Sequence, residues 1–166
     1  MYYSFILLKP ETLEKGLVSG VLKRLLSIGI NIEIFSFVYV TEDLIDRHYG
    51  ENIEKYGEIF RERAHSSFAG KYVIPIIVSS HSNNIIQDIR TLVGATDPTK
   101  AEPGTIRADF GIDSIEKAMS EGRCCENLIH ASDSPEAYLY EAVLWFGKEI
   151  VSKYVYQKGC FNDIQK

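Results

Sequence analysis

Residues 3–40 decide the fold, because they place two apolar strands on either side of one amphipathic helix. Tyr3–Lys9 (YSFILLK) is short, apolar and aromatic, and Pro10 ends it, which favours a buried strand. Apolar residues recur with helical spacing over Leu17–Leu26. The period then falls to two in Ile30–Val40 (INIEIFSFVYV), which predicts a second strand.

Strands and helices continue to alternate downstream. Thr41, followed by two acidic residues, predicts a helix N-cap, with helical segments extending through about Ala64. Tyr72–Ser79 (YVIPIIVS) predicts a third strand, and Pro75 inside it predicts an edge position or a bulge. Apolar spacing over Ile85–Val93 predicts a further helix.

The last strand and helix complete a recognisable architecture. Asn127–His130 is a short strand candidate, and Ser134-Pro135 supplies a cap and an N1 proline for a helix to about Phe146. We therefore predict an α/β fold (an α+β sandwich): a ferredoxin-like split βαβ with a four-stranded antiparallel sheet and helices on one face. No linker divides the chain, so residues 1–166 are expected to form one domain.

Charge and apolar content exclude several classes of function. Lys and Arg number 18 against 23 Asp and Glu, a net charge of −5, so nonspecific nucleic-acid or anionic-membrane binding is not expected. No apolar run reaches the ~20 residues of a membrane span, and the chain start lacks a basic signal-peptide region. We expect a cytoplasmic protein.

Cysteine and glycine spacing exclude several common sites. Cys124, Cys125 and Cys160 fit neither a disulfide framework nor a zinc knuckle, so we predict free thiols and no protein-held metal. Gly16 and Gly20 do not form a P-loop. Any nucleotide must be bound in another way.

Two polar stretches concentrate residues suited to chemistry. Asn127–Ser134 (NLIHASDS) ends a strand with an imidazole, followed by small, hydroxyl and carboxylate groups and a helix start. Pro103–Phe110 (PGTIRADF) carries an arginine in a Gly- and Pro-bearing loop. The first is a suitable place for a nucleophile, because a free imidazole with a pKa near 6.5 is mostly neutral at pH 7.

Both stretches, in this order and at this separation, resemble the nucleoside diphosphate kinase family. The resemblance extends over most of the chain, from Lys9-Pro10 through Gly94–Pro98 (GATDP) to Leu144–Phe146 (LWF). It implies a ping-pong enzyme that moves a γ-phosphoryl group from a nucleoside triphosphate to a histidine and then to a nucleoside diphosphate. By motif match His130 is that histidine.

The resemblance also implies the catalytic residues around the histidine. Lys9 matches a lysine near the transferred phosphate, and Tyr49 matches a tyrosine that packs beside the imidazole. Ser132 and Glu141 match a pair that surrounds the histidine, with the carboxylate accepting from its other ring nitrogen.

The nucleotide-binding residues follow from the same match. Arg90, Arg107 and Thr96 match the groups that bind the phosphates, and Asn127 matches a ribose contact. The base-stacking aromatic does not align, because about five extra residues follow Tyr49. Two candidates remain in order of preference, Tyr56 and Phe60.

A second insertion, of roughly ten residues, falls in the segment 112–126, at the side of the base-binding cleft. We expect a surface excursion there, with a short helix over Ser114–Glu121 and outside the catalytic machinery. Base preference is left open. The remaining histidines, His48, His65 and His81, are predicted to be ordinary surface or packed residues.

The resemblance also implies the ligands and the assembly. Mg²⁺ would enter bound to the nucleotide phosphates, because the sequence shows no carboxylate cage. The partners would be nucleoside di- and triphosphates such as ATP, ADP, GTP and GDP, and the chain would form a homo-hexamer or a homo-tetramer of similar dimers. The alternative is an interaction or regulatory module that keeps the fold without transferring phosphate, although none of the matched catalytic side chains is missing.

Overall fold

An antiparallel sheet organises residues 1–155, the part of the chain that this computed structural model describes. Cys160 and the end of the chain lie outside the described residues, so a single domain over 1–166 stays a prediction. The strands are β1 (Tyr2–Leu8), β2 (Asn31–Phe35), β3 (Val38–Tyr39), β4 (Tyr72–Ser80) and β5 (Ile129–Ala131). The helices are α1 (Pro10–Glu14), α2 (Val18–Leu26), α3 (Glu42–His48), α4 (Gly50–Tyr56), α5 (Glu58–Phe68), α6 (Ile85–Val93), α7 (Ile106–Phe110), α8 (Ile115–Ser120), α9 (Pro135–Phe146) and α10 (Lys148–Val151), with a 3-10 turn at Pro98–Lys100.

The strand order is β2-β4-β1-β5, and every neighbouring pair is antiparallel. Strand β4 therefore lies between β1 and β2, and β1 lies between β4 and β5. This is the split βαβ arrangement that the sequence predicted. The structure has five strands instead of four, because the predicted strand Ile30–Val40 is divided into β2 and β3, which both pair with β4.

Pro75 was predicted at an edge or a bulge, and the edge position is wrong, because Pro75 lies in the interior strand β4 opposite the break between β2 and β3. The Pro75 carbonyl accepts from the backbone N–H of Ser36 in the gap between β2 and β3. Because the N and O of one residue point to the same side of an antiparallel strand, the proline nitrogen faces this gap. The missing N–H therefore falls where no regular ladder bond is required.

Helices cover both faces of the sheet, not one face as predicted. The alternation in β1 divides the core, since Ile6 and Leu8 point to one side and Phe5 and Leu7 to the other. Helices α2 and α6 pack on the first side. Helices α3, α5, α9 and α10 pack on the second side.

Two predicted caps are confirmed by their hydrogen bonds. The Thr41 hydroxyl accepts from the N–H of Leu44 at the start of α3, and the Ser134 hydroxyl accepts from the N–H of Ala137 in α9. The second cap matters for the site, because it fixes where α9 begins relative to β5. None of the helices within residues 1–155 is long and apolar enough to cross a membrane.

The added segment 112–126 contains the expected short helix, α8, capped by Ser114. The segment folds back on itself, because the guanidinium of Arg123 donates to both carboxylate oxygens of Asp113, at 2.6 and 3.0 Å. Asp113 is buried, and the neighbouring arginine holds the pKa of its carboxyl well below its usual range. The segment also contacts helix α5, because the N–H of Cys124 donates a hydrogen bond to the Ser67 hydroxyl.

Candidate active site

The imidazole of His130 projects from β5 toward the face of the sheet covered by α3 and α9. His130 pairs with Leu7 of β1, and directly paired residues point to the same face. Leu7 belongs to the core under α9, so His130 faces that helix. Its neighbours Ile129 and Ala131 are buried, and the His130 side chain remains a quarter exposed.

Strand β5 begins at Ile129 and not at Asn127, because Leu128 has a left-handed backbone with φ of 73°. A leucine rarely adopts this conformation without support. Here the Leu128 N–H donates to the carboxylate of Glu11 at 2.9 Å, and its carbonyl accepts from the Lys9 N–H and the Thr12 hydroxyl. The start of α1 thus fixes the backbone immediately before the histidine.

Glu141 of α9 holds the histidine from one side. Its Oε1 lies 2.7 Å from Nε2 of His130, and its Oε2 accepts from the hydroxyl of Ser132. Because a carboxylate accepts hydrogen bonds, the ring hydrogen lies on Nε2 and the lone pair lies on Nδ1. In the neutral form of the ring, this arrangement leaves Nδ1 as the free nucleophilic nitrogen.

His48 and Tyr49 form the opposite wall of the histidine site. The ring of His48 lies 4.7 Å from the ring of His130, and the ring of Tyr49 lies 6.4 Å from it, both edge to face. Burial raises the pKa of the Tyr49 hydroxyl, which therefore stays protonated. Sequence reasoning missed His48. Its position next to Tyr49, which the resemblance placed beside the imidazole, was the available signal.

Lys9 lies at the end of β1 and is 7% exposed. Its Nζ lies 5.5 Å from the centre of the Phe68 ring. Burial lowers the pKa of the Lys9 ammonium, and the nearby guanidinium of Arg107 lowers it further. Lys9 also lines a cleft with Cys124 and Cys125, so these two residues of the added segment lie at this site. The prediction that the segment 112–126 is only a surface excursion therefore describes it in part, because the segment also reaches Lys9.

Arg107 is tied to the backbone on both sides of the site. Its guanidinium donates to the carbonyls of Asn127 at 3.1 Å, Gly94 at 2.9 Å and Ile129 at 2.7 Å. Burial lowers its pKa to about 10. Arginine has five N–H donors, so two remain for a ligand.

The other predicted nucleotide contacts lie around Arg107. Arg90 is exposed on α6 and near enough for its charge to lower the pKa of Arg107. Thr96 is exposed, and its carbonyl accepts from Nδ2 of Asn127 at 2.8 Å. Oδ1 of Asn127 is buried without a hydrogen-bond partner within residues 1–155.

The two candidate base-stacking aromatics are neighbours, with ring centres 5.9 Å apart. Phe60 also packs against Tyr49 at 5.7 Å, which connects it to the histidine site. Tyr56 packs against Phe60, is more than half exposed and contacts the ammonium of Lys55. The structure thus brings Phe60 closer to the other site residues than Tyr56.

One group of side chains has the composition of a metal site. Single ligating atoms of His48, His130 and Glu141 lie within 4.8 Å of one another. However, Nε2 of His130 and the Glu141 carboxylate share a hydrogen bond, and Nδ1 of His48 accepts from the indole of Trp145. The lone pairs that a metal requires are therefore largely engaged.

Comparison with known proteins identifies the family. Residues 3–151 match the family model described as nucleoside diphosphate kinase. The chain belongs to the nucleoside diphosphate kinase family. It is 35% identical over 149 residues to the nucleoside diphosphate kinase of Archaeoglobus fulgidus, covering 90% of this chain and 89% of that protein. It is 37% identical over 147 residues to that of Streptococcus pneumoniae, covering 88% of this chain and all of that protein.

Solved structures of nucleoside diphosphate kinases have the same fold. The Borrelia burgdorferi enzyme, described as a transition state mimic with bound vanadate and ADP, has a TM-score of 0.82 and 27% identity, covering 89% of this chain and 88% of that one. The Pyrobaculum aerophilum enzyme has a TM-score of 0.78 and 28% identity, covering 89% and 97%. Nucleoside diphosphate kinases are phosphotransferases that act on nucleotides, and the predicted enzyme class is confirmed.

Proposed function

We propose that this chain transfers the γ-phosphoryl group of a nucleoside triphosphate to a nucleoside diphosphate through a phosphohistidine at His130. The observation that carries the proposal is the hydrogen bond between Nε2 of His130 and Glu141, which leaves the Nδ1 lone pair free. Covalent catalysis through such a nitrogen divides the reaction into two half-reactions.

In the first half-reaction, Nδ1 of His130 attacks the γ-phosphorus. The Nδ1–P bond forms, the bond from phosphorus to the β,γ-bridging oxygen breaks, and the nucleoside diphosphate leaves. The second half-reaction reverses these steps with a different diphosphate. Glu141 keeps the ring hydrogen on Nε2 and stabilises the positive charge that the ring gains, while Ser132 holds the second carboxylate oxygen.

Cationic and polar groups neutralise the phosphates. Lys9 supplies a buried ammonium beside the histidine, and Arg107 offers its two remaining N–H donors. Arg90 and Thr96 contact the outer phosphates from α6 and from the loop after it, and Tyr49 donates its hydroxyl. Phosphoryl transfer depends mainly on such positioning and charge stabilisation. The vanadate and ADP bound to the Borrelia burgdorferi enzyme support this assignment.

The nucleoside lies between two sets of residues. The unpaired Oδ1 of Asn127 accepts a hydrogen bond from a ribose hydroxyl. The base stacks on Phe60, with Tyr56 beside it as the second candidate. Base preference is not assigned.

Mg²⁺ bound to the nucleotide phosphates would neutralise part of their charge. The buried carboxylates near the site fit this mode, because Glu11 is engaged by the Leu128 N–H and Glu141 by His130 and Ser132. A hard cation that lacks a protein carboxylate cage retains waters and binds through phosphates.

We also propose that the chain works in the cytoplasm as a homo-hexamer or a homo-tetramer of similar dimers. The edge strand β2 and the residues after it expose Phe35 and Phe37, which favours contact with another subunit. Sedimentation of the protein tests the assembly, and a monomer at micromolar concentration would contradict it. Cell fractionation tests the location.

Kinetics test the proposed reaction. Initial rates of transfer from ATP to GDP, measured with both substrates varied, should give parallel lines. The His130→Ala protein should show no transfer above trace level, whereas His81→Ala, at an exposed histidine, should match the unsubstituted protein. Intersecting lines, or transfer by His130→Ala, would contradict the proposal.

A further inference from the structure

His48 is a buried imidazole whose protonated nitrogen can be assigned from its neighbour. It is 8% exposed and lies at the end of α3. The indole Nε1 of Trp145 lies 3.2 Å from Nδ1 of His48. An indole N–H only donates, so Nδ1 accepts and the hydrogen of the neutral ring lies on Nε2. Burial, with the charges of His130 and Lys9, holds the pKa of His48 well below its usual value.

The Nε2–H of His48 is a buried donor without an acceptor within residues 1–155. A buried polar group left unpaired lowers stability, so a protein retains one mainly where something else pairs with it. The other neighbours of the His48 ring, Phe5 and Tyr49, contact it through their aromatic rings. These ring contacts provide no acceptor for the Nε2–H of His48.

The ring that carries the proposed nucleophile is a close neighbour of the His48 ring. The rings of His48 and His130 lie 4.7 Å apart, and single nitrogens of both, with one oxygen of Glu141, lie within 4.8 Å of one another. A phosphoryl oxygen on His130 would lie two covalent bonds beyond the ring nitrogen, and a hydrogen bond extends a further 3 Å or so. The separation of the two rings is of the size that such a bridge requires.

We propose that the Nε2–H of His48 donates a hydrogen bond to a non-bridging oxygen of the phosphoryl group carried by His130. The inference rests on the proposed phosphohistidine. No proton moves and no bond to His48 forms, since the neutral ring acts only as a fixed donor. Such a donor stabilises the negative charge spread over the phosphoryl oxygens during transfer. His48 is thereby a catalytic residue.

Three substitutions separate the donor from the packing of the ring. His48→Asn can place an acceptor near Trp145 but carries no donor at the position of Nε2. His48→Gln can place an amide donor near that position. His48→Phe keeps an aromatic ring without either polar atom. Each protein is checked by circular dichroism and thermal melting before the rate of phosphorylation by ATP is measured in a single turnover.

We expect His48→Asn and His48→Phe to be phosphorylated about 10- to 100-fold more slowly, the range for a hydrogen bond to a charged group. His48→Gln should recover most of the rate. Affinity for ADP should stay within about threefold in all three variants, because ADP lacks the transferred phosphoryl group. Phosphorylation of His48→Asn at the unsubstituted rate would overturn the role of His48 alone. An unsubstituted protein that is never phosphorylated would overturn the proposed function and this inference together.

A measurement without substitution covers the case in which the variants do not fold. In protein labelled with ¹⁵N-histidine, the resonance of the His48 Nε2–H should move downfield when ATP phosphorylates His130. It should return when GDP removes the phosphoryl group. A resonance that stays unchanged in fully phosphorylated protein would overturn the proposal.

Discussion

Glu141 and His130 are joined across the boundary between helix α9 and strand β5 by a hydrogen bond of 2.7 Å. The relationship depends on Ser134, whose cap starts α9 three residues after β5 ends. Glu141 then lies about two turns into the helix, on the side that faces the sheet. A short connection thereby fixes the tautomer of the neutral imidazole and leaves its Nδ1 free.

Replacing Glu141 should slow phosphorylation without unfolding the protein. A hydrogen bond to a charged group contributes about 1.5–3 kcal/mol, which corresponds to a loss of roughly 10- to 100-fold in rate for Glu141→Ala. Glu141→Gln keeps an acceptor without the charge and should lose less. The exposed Glu136 of the same helix provides the control, and Glu136→Ala should be unaffected. An unchanged rate in folded Glu141→Ala would contradict the account.

Arg107→Lys should reduce both stability and nucleotide affinity. The guanidinium donates to three backbone carbonyls, and a lysine nitrogen cannot reach all three. We expect a loss of about 2 kcal/mol in the free energy of unfolding, or roughly 4–8 °C in Tm. Calorimetry should give little change for the control Arg47→Lys, at an exposed arginine. Normal stability in Arg107→Lys would show that these contacts contribute little.

The base-stacking residue can be identified by comparing two alanine variants. Stacking of a base on an aromatic ring contributes about 1–3 kcal/mol. Phe60→Ala should therefore raise the KM for the nucleotide by roughly 5- to 100-fold with a smaller effect on kcat. Tyr56→Ala should change it less, because Phe60 packs against Tyr49 in the site whereas Tyr56 packs against Phe60. A larger effect of Tyr56→Ala would reverse the assignment, and an effect of neither would exclude both.

Acid should weaken the ion pair between Asp113 and Arg123 that folds the added segment back on itself. The Arg123 guanidinium lowers the pKa of Asp113 in the folded state, relative to about 3.9 for a free aspartate. Its stabilising contribution is complete above the unfolded pKa and is lost as the pH falls through the lower folded value. Protection from hydrogen exchange over 113–126, measured relative to the intrinsic exchange rate at each pH, should therefore fall below about pH 4, and Asp113→Asn should show reduced protection already at pH 7. Glu116→Gln, at an exposed site, serves as the control.

Much of the fold follows from local pattern, because apolar spacing and capping act over a few residues. The limits of α6 and α9 were predicted within one residue, and their signals are an amphipathic stripe and a Ser-Pro cap. The division of the second strand was not predicted, since it depends on the ladder that Pro75 interrupts. The helices of the second face were predicted, but their place on that face was missed, because spacing along one helix does not report which face of the sheet it covers.

The candidate site was predicted largely through motif resemblance and not through residue chemistry alone. The string around His130 was distinctive, but nothing local indicates the left-handed Leu128 or the contact of Glu11 with it. His48 was expected to be an ordinary residue, although its position next to Tyr49 was a local signal of a role in the site. Its proposed role depends on Trp145, almost a hundred residues away in sequence, and only packing brings the two together.

The most direct test of the account is the location of phosphate after the protein is treated with ATP. Phosphohistidine is labile in acid, so the peptides should be prepared and analysed by mass spectrometry under alkaline conditions. The account predicts a single phosphate on His130, present after ATP, removed by GDP with formation of GTP, and absent in His130→Ala. Phosphate on another residue, or phosphoryl transfer without any phosphate on His130, would contradict it.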